Sequence, residues 1–135
     1  MRALSSTFLA TVALLFAGAA LAAQRPTVVG DPAKDEAIYG RCLACHALDR
    51  NRTGPKHCGL FGRRAGSVAD FNYSPAMRRS NIVWNEKTLD RFLANPLKAV
   101  PGTAMGYAGV TDSQERADLI AWLKEANASP AQCNK

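Results

Sequence analysis

The chain is poor in the features that build sheets, repeats or membrane spans. Aromatic residues make up only 7% of its 135 residues. No segment alternates apolar and polar residues steadily enough to predict a strand pair. There is no internal repeat, no low-complexity tract, and no Pro/Ser-rich linker after residue 23, so one domain accounts for the length. The apolar run from Phe8 to Leu21 falls short of the roughly 20 residues a membrane span needs. Lys and Arg exceed Asp and Glu by 17 to 11. No basic run is interleaved with aromatics, so the excess does not indicate nucleic acid. An acidic protein partner, an anionic membrane or an ordinary solvated surface remain open.

What is present begins with an export signal. Met1-Arg2 gives a short positive start to the Phe8–Leu21 run, and Ala20-Leu21-Ala22 supplies the small residues signal peptidase requires. The expected division is a signal peptide over 1–22 and a single domain over 23–135, with its core at about 30–127. An uncleaved N-terminal anchor is the alternative. Loss of Arg2 lowers the basic count of 17 to 16 against 11 acidic residues, leaving +5. A domain of this size buries a modest fraction of its surface, and a bound cofactor would help complete its core.

The rest reads as all-α with long loops. Asp31-Pro32 predicts a helix start, Asp as cap and Pro at the first position, running to about Leu43 with Ile38 and Tyr39 inward. Residues 47–72 are rich in Gly and Arg without a steady period and read as ordered loop. Ser74-Pro75 opens a short helix to about Arg79, where Met77 is read as core packing. Asn85 caps another that carries Leu89, Phe92 and Leu93 on one face, and Asn95-Pro96 stops it. Four residues, Pro101, Gly102, Gly106 and Gly109, make 100–110 an extended loop. Asp112-x-x-Glu115 resembles a capping box before a helix to about Asn127, with Leu119, Ile120, Trp122, Leu123 and Ala126 inward.

Cys42-Leu43-Ala44-Cys45-His46 carries the chemistry. Two thiols separated by two residues, followed at once by His, form the c-type haem attachment pattern. The thiols reach the two vinyl groups, and the His sits under the iron. An export signal supplies the compartment in which such attachment is made. A thioredoxin-like redox pair is the first alternative, and it would want a βαβ pattern that is absent. A zinc site is the second, and it would need a second ligand pair, which His57 and Cys58 could supply. A sixth iron ligand is sought among Met77, Met105, His57 and the lysines. Met105 is preferred, because Pro101-Gly102-Thr103-Ala104-Met105-Gly106 lets backbone approach a flat cofactor closely.

With these residues placed, the chain resembles the class I c-type cytochromes, mitochondrial cytochrome c and its soluble bacterial counterparts, from about Gly30 to Ala126. The landmarks occur in family order. They are Cys42 to His46, Thr53-Gly54-Pro55, Gly59 to Arg63, Phe71, Tyr73 and Trp84, then Asn95-Pro96, Pro101-Gly102-Thr103 with Met105, and Leu119 to Leu123. The resemblance implies a cytochrome c fold of four to five short helices around one haem c bound through Cys42 and Cys45, with His46 and Met105 as iron ligands. It implies that the Pro55 carbonyl holds the His46 ring, and that Arg63, Tyr73, Ser74 and Trp84 bind and bury the propionates. It implies a monomeric electron carrier, not an enzyme. Its partners would be redox proteins such as a membrane oxidase, a cytochrome complex or a dehydrogenase, met in the periplasm.

The chain departs from the family in places. Phe92 stands where mitochondrial proteins carry Tyr, and Asp35 where a Gly is expected at the helix crossing. Leu97, Ala104, Thr111 and Asp112 stand where lysines ring the haem edge. His57 replaces an apolar residue, and its role is open between a satisfied core histidine and a replacement iron ligand. Cys58 and Cys133 are left over, and in an oxidising compartment a bridge between them is expected.

Overall fold

A computed structural model describes residues 28–34 and 36–133. The expected signal peptide over 1–22 and Asp35 lie outside the described residues. The described chain holds six α-helices: α1 (Glu36–Tyr39), α2 (Pro75–Arg79), α3 (Glu86–Ala94), α4 (Pro96–Ala99), α5 (Ser113–Ala128) and α6 (Pro130–Cys133). Among the described residues the only β-type pairing is an isolated bridge between Arg64 and Val83. No helix there is long and apolar enough to cross a membrane.

The N-terminal helix differs from the sequence reading. Instead of one helix to Leu43, 3-10 turns at Pro32–Lys34 and Gly40–Cys42 flank the single turn of α1. Gly40 weakens a helix interior, and from there the backbone tightens to i→i+3 bonds, Leu43 N–H to Gly40 O and Cys45 N–H to Cys42 O. The start is as expected: the Asp31 carboxylate accepts from Ala33 N–H at 3.0 Å, and Ile38 and Tyr39 are buried.

Capping sets the other boundaries. Ser74 accepts from Met77 N–H with Pro75 at the first helical position. Asn85 and Thr88 form a reciprocal capping box on α3. Asn95 ends α3 and caps the extra turn α4. Asp112 accepts from the amides of Gln114 and Glu115. Glu115 does not complete a box there: its carboxylate pairs with Arg41 at 3.1 Å.

The core forms where α3 meets α5. Leu89, Phe92 and Leu93 face Leu119, Ile120 and Leu123 in one buried cluster with Tyr39, Met77 and Trp84. Each such aliphatic side chain contributes about 1.5–3 kcal/mol by leaving water. The N-terminal segment crosses α5 at Gly30, where any Cβ would run into the Ala117 carbonyl. Beside that contact Asp31 N–H donates to buried Asp118 at 2.7 Å, and Gln114 Nε2 donates to Val29 O and Asp118. At the other end α6, not anticipated as a helix, brings Cys133 to Cys58, sulfur to sulfur, with Cα atoms 5.3 Å apart.

Candidate functional site

Cys42, Cys45 and His46 leave the Gly40–Cys42 turn together. His46 N–H donates to Cys42 O at 2.8 Å and Cys45 N–H to the same carbonyl at 3.1 Å, so one carbonyl gathers the motif. Both thiols are free, Cys42 half-buried and Cys45 exposed. Burial pushes the Cys42 thiol pKa up.

The His46 ring is buried. Its Nδ1 lies 2.8 Å from the Pro55 carbonyl, which requires the proton on Nδ1 and leaves Nε2 a bare lone pair. Burial lowers the His46 pKa, opposed by that hydrogen bond. Gly54 packs directly on the imidazole, where any Cβ would overlap the ring.

His57, left open by the sequence, stacks on His46 with centroids 4.3 Å apart and planes at 20°. Its Nδ1 lies 3.2 Å from the Tyr39 hydroxyl, and Tyr39 in turn lies 4.3 Å from the Trp122 ring. Burial pushes the His57 pKa down to about 3, with His46 and Arg63 adding to the effect. The signal for this pair was the polar residue at an apolar family position, but only the structure supplies Tyr39 as its partner.

Met105 is half-buried against the core, in a loop held at both ends. Val100 N–H donates to Pro96 O, and Val110 N–H donates to Leu93 O at 2.8 Å. Gly109, at φ +104°, presses its backbone onto the Ala94 carbonyl. Buried Arg116 donates through Nη1 to Val110 O at 2.8 Å and through Nε to Asp90 at 2.6 Å.

Trp84 is buried and lies 5.1 Å from Phe92. Among the described residues the indole N–H of buried Trp84 makes no hydrogen bond, while the Tyr73 hydroxyl meets the backbone of Val68. A buried donor without a partner is a place for an absent acceptor. Tyr73 and Ser74 line an open surface groove together with Arg78, Arg79 and Ala104. Burial raises the Tyr73 pKa, and nearby Arg63 opposes the rise. Arg63 itself donates to Cys58 O at 2.9 Å and Lys56 O at 2.8 Å. It therefore braces the 56–58 loop, with further N–H donors left over.

These residues fit a haem. Two adjacent thiols, a histidine whose proton is fixed on Nδ1 and the unpaired indole N–H of Trp84 are the groups such a cofactor requires, and Cys42 and Met105 both pack against the same hydrophobic cluster. Zinc does not fit: Cys58 is paired with Cys133, and among the described residues no group of three or more His, Cys, Asp or Glu side chains is placed to hold a metal.

Comparison with known proteins agrees. No protein-family profile matches the chain. Cytochrome c2 of Blastochloris viridis is 40% identical over 106 residues, covering 76% of this chain and 84% of that protein. Cytochrome c of Theileria annulata is 43% identical over 114 residues, covering 79% and 98%. The solved structure of cytochrome cH from Methylobacterium extorquens superposes with a TM-score of 0.69 at 39% identity, covering 71% of this chain and 99% of that one. The fold, the Cys-x-x-Cys-His turn and these relatives together make the chain a member of the class I c-type cytochromes, an all-α electron carrier with haem c bound covalently through Cys42 and Cys45, two of its four cysteines.

Proposed function

We propose that the mature chain, residues 23–135, is a soluble monomeric periplasmic shuttle that passes single electrons between redox proteins, and that His46, through Nε2, and Met105, through Sδ, would hold the iron. The observation that carries this reading is the Pro55 carbonyl on His46 Nδ1 at 2.8 Å, which keeps the ring proton on Nδ1 and leaves the Nε2 lone pair available to an iron. Haem supplies the reversible one-electron couple of its iron.

The chain's residues do the rest. Cys42 and Cys45 keep the group from escaping through two thioether links. The Met105 thioether favours the reduced state and raises the potential. Trp84 Nε1–H, the Tyr73 hydroxyl, the Ser74 hydroxyl and the spare donors of Arg63 serve the propionates, offsetting the cost of carboxylates in a poorly solvated pocket. Phe92, packed on Trp84, has no hydroxyl, so it would offer no hydrogen bond to a ligating sulfur. The expected export signal over 1–22 delivers the chain to an oxidising space, where Cys58 and Cys133 stay bridged. A membrane oxidase, a cytochrome complex or a dehydrogenase are the classes of partner, and nucleic acid is not one.

Exogenous ligands test the reading. With both axial positions filled, carbon monoxide and cyanide bind slowly or poorly, and Met105→Ala binds them quickly. Rapid binding by the unaltered protein would contradict it and favour a gas-binding or peroxidase role.

A further inference from the structure

We infer that His57 is a positioning residue for the iron's histidine, its ring face fixed against the His46 imidazole so as to favour the oxidised state. The inference rests on the proposed ligation by His46.

The stack is built into the fold. His57 N–H donates to Ala47 O at 3.1 Å and Cys58 N–H to Leu48 O at 2.7 Å, tying this loop to the two residues that follow His46. Arg63 clamps the carbonyls on either side, Lys56 O and Cys58 O. The Tyr39 hydroxyl meets His57 Nδ1 at 3.2 Å, and the ring then lies 4.3 Å from His46, 20° from parallel. Cys133 holds the next residue from outside. A ring so placed lies on the His46 side of whatever that histidine binds, so it is not poised to replace Met105.

The consequence is electrostatic. An aromatic face carries negative charge density and attracts positive charge. His46 gains positive character when the iron it ligates loses an electron, so the oxidised form gains more from the contact. Replacing the ring by an aliphatic side chain therefore raises the midpoint potential.

The test is redox titration of the haem-loaded protein, unaltered and as His57→Leu. The expected change is about threefold in the ratio of reduced to oxidised protein at fixed potential, about 28 mV at 59 mV per tenfold. His57→Phe, which restores a ring face, returns the potential toward its original value. Proton NMR of the unaltered reduced protein supplies a second measurement that needs no variant: nuclear Overhauser contacts between the His57 and His46 rings. An unchanged potential in a folded, haem-bearing His57→Leu protein overturns the inference, as does the absence of those contacts. If the ring-current-shifted His46 resonances of a haem ligand are themselves missing, the ligation proposal fails and takes the inference with it. If they are present, the inference fails alone.

Discussion

Gly54 and Asp118 show how single side chains, or their absence, set the site and its tolerance of pH. A Cβ at position 54 would occupy the space of the His46 imidazole. Gly54→Ala must therefore displace that ring or the loop behind it, an overpacking cost of about 1–3 kcal/mol. The expected outcome is a lower urea midpoint and a lower yield of attached haem, and an unchanged yield would show that the ring moves aside freely. Asp118 accepts hydrogen bonds from Asp31 N–H and then from Gln114, which hold its carboxyl below the ordinary value of 3.8. A group with a depressed folded pKa contributes stability above its unfolded pKa and loses it as pH falls through the folded one. Stability should therefore drop on acidification below about pH 4, and Asp118→Asn should flatten that part of the curve. Equal slopes in urea melts across this range would remove Asp118 from the account. At this scale the motif residues were readable because covalent attachment demands a fixed spacing. Asp118 was not, since its main partner is a backbone amide 87 residues away.

Among the elements, the 100–110 loop carries Met105, the proposed ligand, and it has no regular structure of its own. Its C-terminal end depends on Arg116, a buried guanidinium reaching from α5 to Val110 O and to Asp90 of α3. Arg116→Met removes hydrogen bonds from a charged donor and leaves the Val110 carbonyl without that partner, a cost of about 2–3 kcal/mol. Chemical denaturation should report the loss. If Met105 is a ligand, sulfur–iron ligation should weaken alongside it; a large stability loss with ligation intact would mean that the loop holds its shape without this brace. The helix ends at Ser74, Asn85 and Asp112 were legible because capping is local chemistry. The breaking of the N-terminal helix was less so: Gly40 marks a weak point, yet nothing in the spacing of residues 31–43 distinguishes a continued helix from a tightening to i→i+3 bonds there. The turn α6 escaped prediction because four residues carry too little pattern to detect.

At the scale of the whole molecule, the N-terminal segment, α3 and α5 form the packed base, and long loops complete the core from either side. The apolar spacing of α3 and α5 predicted that base directly, since both helices must bury one face. The lengths and paths of the loops were legible through the family resemblance rather than through periodicity. The link from Cys58 to Cys133 spans 75 residues, enough in the chain-entropy treatment to contribute up to about 4 kcal/mol. A Cys58→Ser, Cys133→Ser double variant should unfold at lower urea than the parent, and a shared midpoint would show that the attached haem already constrains the unfolded chain. A thiol count on denatured, unreduced protein should find neither cysteine free.

The most direct measurement is the optical spectrum of the mature protein, made in cells able to attach c-type haem, in both oxidation states. Covalent haem with His46 and Met105 on the iron predicts a pyridine haemochrome of two thioether links, together with a weak far-red band in the oxidised protein that disappears in Met105→Ala. Attached haem without that band in the unaltered protein, or a band that survives the loss of Met105, would contradict the assigned ligand.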